Sequence, residues 1–276
     1  MKKVTSCLWC GSKEIEVVAK RVDDISIVKC TACELLMNAE IPENLEQLYN
    51  EDYYSATEAD QNKGYEGVYY LVSPAFLLWQ NSFIEEANER HEKELFLEIG
   101  SATGNLLEII RENQPNLSVS GIDISKYAVE VTREKGFDTH ATTIQNYKSN
   151  PKKDIIFSSE TMEHLDDLRS FLSGVTDNLK PDGVFLFYVP SVSEGDARRE
   201  SSKYIRFRTN MEHLLHFTPN FFERELPVFF ESKVLIKEFK TSFGPCILGA
   251  VSKSPPALKQ FEALFFALDQ NKVPND

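Results

Sequence analysis

Four cysteines in two pairs carry the strongest chemical signal in this chain: Cys7-x-x-Cys10 and, after nineteen intervening residues, Cys30-x-x-Cys33. Two such knuckles bring together four thiolates, the donor set that tetrahedral zinc favours and one that leaves no open position for catalysis. The ion is expected to be structural. A module of about thirty residues cannot bury an adequate core, so Zn2+ would supply most of its folding energy. Neither pair sits in a glycine-rich redox turn or a βαβ pattern, which argues against a dithiol oxidoreductase. Lys2, Lys3, Lys13, Lys20, Arg21 and Lys29 make this end locally basic, but Glu14, Glu16, Asp23 and Asp24 offset them. That balance favours a structural or substrate-shaping module over one that grips nucleic acid. The fifth cysteine, Cys246, is expected to be a small buried residue.

A second constellation lies in FLEIGSATGNLLEII, where an apolar strand ends at Glu98, turns through Gly100, Ser101, Ala102, Thr103 and Gly104, and enters a helix. A turn of such small residues lets a ligand approach the backbone. A dinucleotide fingerprint would carry a third glycine three residues after Ala102, and Asn105 stands there, against a nicotinamide cofactor. Nineteen residues beyond Gly104 the next strand ends in Asp123, followed by Ile124. A carboxylate there can accept hydrogen bonds from both hydroxyls of an adenosine ribose. The competing readings are a tight strand-to-helix connection, an aspartate that caps a helix, and a solvated Glu98 at a strand end.

The third group is Glu163-His164 in SSETMEHL, after a further strand. Ligands of open α/β sheets bind at the carboxyl ends of the strands, so His164 is the candidate general base and Glu163 its partner or a substrate-orienting group. The alternative is a histidine that packs or caps in the following helix. His213 and His216 follow a polar insertion over residues 191–209 that carries Arg198, Arg199, Lys203, Arg206 and Arg208. One of the two histidines is expected to touch substrate and the other to pack, and no carboxylate or cysteine partner for them is evident in the sequence. The arginines, Arg206 among them, are either an anion-recognising set or a solvated loop. Tyr53, Tyr54 and Tyr65 are candidates to line the acceptor pocket, with packing as the alternative. His91 and His140 show no chemical context.

These groups need a scaffold, and the pattern supplies one. ELFLEIG, LSVSGID, KDIIFSS and GVFLFYV are strand-length apolar runs, and NLLEIIREN, KYAVEVTREKG and LRSFLSGVTDNLK between them have helix character. Alternation of this kind predicts a parallel sheet covered on both faces. SKVLIKEF and PCILGAVSK are joined by a link too short for a crossover, so they must be antiparallel neighbours. The fold class is α/β: a Rossmann-like, seven-stranded, mostly parallel sheet with an antiparallel C-terminal pair, plus a small zinc-ribbon-like module at the N-terminus. The expected organisation is a zinc module over 1–40, a connector or lid and helix over 41–92, and the main domain over 93–276. The lid includes an amphipathic helix over 68–90, and PPALKQFEALFFALDQ reads as a last helix.

In 276 residues, 30 Lys and Arg stand against 43 Asp and Glu, and the net charge of -13 disfavours binding to phosphate backbones. No run reaches the ~18 apolar residues of a membrane span, and MKKVTSCLWCGS lacks the apolar core of a signal peptide, so a cytoplasmic protein is expected. The sequence leaves the oligomeric state open.

LEIGSATGNLL, GIDIS, DIIFSSETMEHL and LKPDGVFLFYVP resemble the successive motifs of class I S-adenosylmethionine-dependent methyltransferases over about residues 95–253. The resemblance implies that the turn from Glu98 through Gly100, Ser101, Ala102 and Gly104 faces the methionine part of the cofactor and that Asp123 holds the ribose, with Ile124 beside it. It further implies that Thr143 and Ile144 line the adenine and that Ser159 and Glu160 border the sulfonium. Ala102 stands where many members have a glycine. The stretch C-x-x-C-G, then C-x-x-C-E-L-L-M-N and LYNEDYY, is similar to the N-terminal part of methyltransferases acting on nucleotide-linked sugars. The reading is a methyltransferase acting on a small molecule, with a nucleotide-linked or phosphorylated sugar as the leading acceptor. Its rivals are an RNA methyltransferase whose zinc module grips RNA and a non-catalytic module that binds S-adenosylmethionine.

Overall fold

The computed structural model describes residues 1–21, 23–44, 49, 94–192, 212–241, 244–259 and 261–262. Seven strands form one sheet in the order β12-β13-β10-β9-β6-β7-β8. They are β6 (Glu94–Ile99), β7 (Leu117–Asp123), β8 (Asp138–Ala141), β9 (Lys153–Ser159), β10 (Leu179–Pro190), β12 (Lys233–Thr241) and β13 (Gly244–Ser252). β6 pairs with β7 and β7 with β8 in parallel, because each connection carries a helix back over the sheet: α1 (Asn105–Asn113) and α2 (Lys126–Glu134). The last two strands have only two residues between them and close as an antiparallel pair. The sheet is the mixed, seven-stranded α/β architecture expected from the alternating pattern.

The chain divides into two compact units. One comprises Asn44–Phe157, Gly174–Leu186 and Ala250–Asp276. Its core is built from strand residues such as Phe96, Leu97, Ile122, Ile155 and Phe157, with Leu106, Leu107 and Ile110 from the single apolar face of α1. Ser125 caps α2 by accepting a hydrogen bond from Ala128 N at 3.3 Å. The long helix α3 (Leu168–Asn178) ends in this unit, where Asn178 donates to the carbonyls of Ile144 and Tyr147.

The other unit comprises Met1–Glu43, Ser158–Ser173 and Phe187–Gly249. Its N-terminal part holds β2 (Ile15–Lys20), β3 (Ser26–Cys30) and β4 (Leu36–Asn38), with β1 (Lys2–Lys3) paired to β5 (Glu40–Ile41). β2 and β3 span the stretch between the two cysteine pairs. A fourth strand comes from far along the chain: β11 (Leu215–His216) pairs antiparallel with β4, Leu215 opposite Met37 and His216 opposite Leu36. Helix α4 (Pro219–Phe230) follows, with Thr218 as its cap and Pro219 in its first turn. Phe221 and Phe222 of α4 pack with Phe217 and Phe187 in an aromatic core.

Candidate active site

Hydrogen bonds fix the turn after β6 almost residue by residue. Gly100 N and Ser101 N donate to Ile122 O at 2.9 and 3.1 Å, and Gly104 N donates to Ser101 O at 2.8 Å. Ala102 N donates to Asp123 Oδ2 at 2.9 Å, while Asp123 Oδ1 accepts from Ser125 N at 2.8 Å. Asp123 therefore joins the turn to Ser125, the residue that caps α2, and does not cap the helix itself. Gly104 has φ +83°, and a Cβ there would stand 2.7 Å from Thr132 Cγ2, so only glycine fits. Thr132 is itself held by its hydroxyl's bond to Ala102 O at 2.9 Å. Ala102 sits at φ 45°, a left-handed conformation unusual for a residue with a side chain.

Glu98 is not a solvated strand-end residue: it is 1% exposed. Burial, and after it the charge of Asp123, holds its carboxyl well above the usual carboxylate range. Among the described residues, its Oε2 and the hydroxyl of the fully buried Ser101 have no hydrogen-bond partner. The Thr143 carbonyl accepts from Asn146 N and Tyr147 N at the start of the turn after β8. Ile144 is buried and Ile124 half-buried.

In the other unit, Ser159 closes β9 and Glu160 follows at φ 46°, its N–H donating to Tyr188 O at 2.9 Å. A 3-10 turn, Met162–His164, then presents Glu163 and His164. Nε2 of His164 and Nε2 of His213 each stand 3.9 Å from Glu163 Oε1, and the two rings meet edge to face at 4.8 Å. The structure thus supplies a carboxylate partner for His213 that sequence spacing did not reveal. Nδ1 of His164 lies 3.1 Å from the carbonyl of Glu212, to which its N–H donates. Leu214 N donates to Glu163 O at 2.7 Å, and the carbonyl of His213 accepts from Asn38 Nδ2 at 2.9 Å and Arg21 Nη1 at 3.3 Å. Arg21 and Asn38, both buried, are positioning residues that sequence reasoning missed. His216 packs in the interior of this unit. It is 3% exposed, its Nε2 lies 3.0 Å from Asn38 Oδ1, and burial with the nearby Arg21 charge pushes its pKa down to about 3.

The four expected cysteines converge, their sulfurs all within 4.8 Å of one another. Cys7 Sγ lies 3.5 Å from Cys33 Sγ and Cys10 Sγ 3.6 Å from Cys30 Sγ. Those gaps exclude disulfides and approach the about 3.8 Å between sulfurs on a tetrahedral zinc with bonds of about 2.3 Å. The knuckles match in detail: Gly11 and Glu34, each following the second cysteine, are left-handed, and their N–H groups donate to Cys7 O and Cys30 O. The hydrogen bond from Cys33 draws the Cys7 thiol down to about 5. Helix α4 grips both knuckles, through Glu225 Oε2 to Trp9 Nε1 at 2.7 Å and Arg224 to Glu34 at 2.8 Å. Arg169 lies 4.4 Å over the Trp9 ring.

Cys246 is buried and accepts from Tyr188 OH at 2.9 Å. His140 pairs with Asp138 at 3.1 Å on exposed β8. Tyr53, Tyr54, Tyr65, His91, the helix expected over 68–90, Arg206 with the other arginines of the insertion, and most of the expected last helix lie outside the described residues.

Residues 76–227, more than half of the 276-residue chain, match the family described as a methyltransferase domain. The chain is 29% identical over 128 residues to malonyl-(acyl-carrier protein) O-methyltransferase 2 of Ilyobacter polytropus, covering 45% of this chain and 48% of that one. It is 30% identical over 145 residues to the ubiquinone biosynthesis O-methyltransferase of Actinobacillus pleuropneumoniae, covering 48% and 59%. It spans about half the length of the curated relatives it matches. Among solved structures, the plantazolicin methyltransferase BpumL in complex with SAH superposes with a TM-score of 0.57 at 15% identity, covering 76% of this chain and 94% of that one, a likeness of fold. The strand order, the turn after β6 and the match over residues 76–227 agree: the chain belongs to the methyltransferase-domain family and has the class I S-adenosylmethionine-dependent methyltransferase fold.

Proposed function

We propose that this protein transfers a methyl group from S-adenosylmethionine to an oxygen of a small-molecule acceptor. The observation that carries the reading is the pair of buried, unsatisfied polar atoms, Glu98 Oε2 and Ser101 Oγ, on a turn that Asp123 holds rigid. Buried polar groups are normally paired, so these two mark where a ligand's polar groups belong. Glu98, Gly100, Ser101, Ala102 and Gly104 would receive the amino-acid part of the cofactor. Asp123 would accept from the ribose hydroxyls, and Ile124, Thr143 and Ile144 would flank the adenine. By motif position, Ser159 and Glu160 border the reacting sulfur.

The cofactor supplies an electrophilic methyl group on a sulfonium. What the chain must add is alignment, exclusion of water and removal of a proton from the acceptor hydroxyl or carboxyl. His164 donates from Nδ1 to the Glu212 carbonyl, and its Nε2, 3.9 Å from Glu163 Oε1, is the nitrogen we assign to take that proton. Oxygen as the acceptor atom is supported by the names of the relatives, both O-methyltransferases. A nucleotide-linked sugar, the class suggested by the cysteine-rich N-terminus, is the second acceptor to test. The four cysteines would hold Zn2+ as a structural ion, for which their sulfur geometry and paired knuckles fit.

The reading is tested by calorimetry with S-adenosylhomocysteine, then by methyl transfer to hydroxylated and carboxylated small molecules, nucleotide-linked sugars and structured RNA. Micromolar cofactor binding with turnover on the first class supports it. Turnover on RNA alone, or cofactor binding with no acceptor across all classes, would replace it with one of the rival readings.

A further inference from the structure

Building on the methyltransferase reading, we infer that Glu98 receives the α-ammonium group of the cofactor and gives up a proton when that group docks, so that cofactor binding is coupled to proton release. Glu98 and Gly121 are paired neighbours on β6 and β7, so their side-chain directions share one face of the sheet. Gly121 leaves its place empty and the hydroxyl of Ser101 fills it: a Cβ on Gly121 would stand 2.7 Å from Ser101 Oγ and 3.0 Å from Leu107 Cδ1 of α1. The turn after β6 thus returns a buried hydroxyl to the face on which Glu98 lies. Neither Ser101 Oγ nor Glu98 Oε2 has a hydrogen-bond partner among the described residues, and both side chains are buried. Each can accept a hydrogen bond, and an ammonium group brings three donors and no acceptor.

Asp123 lies two residues beyond Gly121 on β7, on the same face, and its charge acts on Glu98. The surroundings divide the roles of the two carboxyls. Asp123 accepts from the N–H groups of Ala102 and Ser125, bonds that stabilise its charge. Glu98, buried beside that charge with Oε2 unpartnered, keeps its proton in the empty site, and burial and then Asp123 hold its carboxyl well above the usual range. The described charges on the neighbouring elements are turned elsewhere. On α1, Glu108 pairs with Lys135 at 2.8 Å, and Arg111 and Glu112 are exposed. On β9, Lys153 donates to Ser120 Oγ at 3.0 Å and Asp154 pairs with Lys180 at 2.8 Å.

A docked ammonium group reverses this balance. It offsets the repulsion from Asp123 with an attraction at hydrogen-bond distance and favours the ionised form of Glu98. The neutral carboxyl and the ligand's ammonium become a carboxylate–ammonium pair, and the carboxyl proton goes to solvent. Affinity should therefore rise with pH, by about tenfold per unit, until Glu98 ionises in the empty protein as well.

The test is a proton count by calorimetry. S-adenosylhomocysteine is titrated into the protein at about pH 7 in Pipes and in Tris, buffers of different ionisation enthalpy, and the difference in heat gives the protons exchanged. The wild type should release about one proton and Glu98→Gln none, since glutamine keeps the shape of the side chain and cannot ionise. Wild-type affinity should rise about tenfold between about pH 6 and pH 7, and that of Glu98→Gln should stay level. The analogue of S-adenosylhomocysteine with hydrogen in place of its amino group should release no proton from the wild type, a measurement that needs no variant. Binding of S-adenosylhomocysteine without proton release, or equal release by Glu98→Gln or with the analogue, would overturn the assignment and leave the methyltransferase reading standing. Absence of binding to the folded wild type would remove that reading, and the assignment with it.

Discussion

The carboxylate of Asp123 accepts from the N–H of Ala102 at 2.9 Å and from the N–H of Ser125 at 2.8 Å, joining the turn after β6 to the start of α2. One side chain at the end of β7 therefore shapes both walls of the proposed cofactor site. Asp123→Asn keeps one acceptor and should weaken S-adenosylhomocysteine binding by about tenfold or more. Asp123→Ala should also lower stability by about 1–3 kcal/mol, because it orphans two buried N–H groups. Calorimetry and urea denaturation of the two variants separate these effects.

Gly104→Ala should fail for two reasons that can be told apart. The left-handed backbone costs about 1 kcal/mol with any side chain, and the new methyl group would lie 2.7 Å from Thr132 Cγ2. Adding Thr132→Ser removes that methyl and keeps the hydroxyl that bonds Ala102 O. The double variant should recover part of the lost stability and cofactor affinity, and no recovery would contradict the packing argument.

His216 predicts how stability falls in acid. Its pKa is about 6.5 when the chain is unfolded and about 3 when burial and the neighbouring Arg21 charge hold it neutral. The unfolded state therefore takes up a proton that the folded state refuses, and the stabilisation is complete above about pH 6.5 and lost as pH falls toward 3. Between pH 7 and pH 5 this amounts to about 2 kcal/mol. His216→Gln should make the urea midpoint less sensitive to pH over that interval, with the slope unchanged as the contrary result.

Removing metal from the cysteines should reach well beyond the N-terminus. β11 depends on β4 for pairing, and Glu225 and Arg224 of α4 close on the two knuckles. Cys30→Ser is expected to lose Zn2+ and to lower the melting temperature by several degrees. It should also impair turnover, since Arg21 and Asn38 of this module hold His213. Unchanged melting with no metal bound would show that the cluster stabilises without an ion.

The sheet was legible because β6, β7, β9 and β10 are apolar runs of strand length with helix-like stretches between them, whereas β8, Asp138–Ala141, is too short to show a period of its own. Glu98 was placed on a strand end, but its burial depends on how the turn folds back over it, which no local pattern encodes. His213 and Glu163 are 50 positions apart in number, and only the pairing of β11 with β4 and the bond from Leu214 N to Glu163 O bring them together. A two-residue strand such as Leu215–His216 has no periodicity to detect. Helix α4 carried a local signal in Thr218-Pro219, a cap followed by the residue that best opens a helix, which the apolar run behind it obscured.

The measurement that tests the central claim most directly is calorimetric titration of S-adenosylmethionine into the folded wild-type protein and into Asp123→Ala. The account predicts one site with micromolar affinity that Asp123→Ala weakens by about tenfold or more. Absence of binding to the folded wild type, or equal affinity in the two proteins, would contradict it.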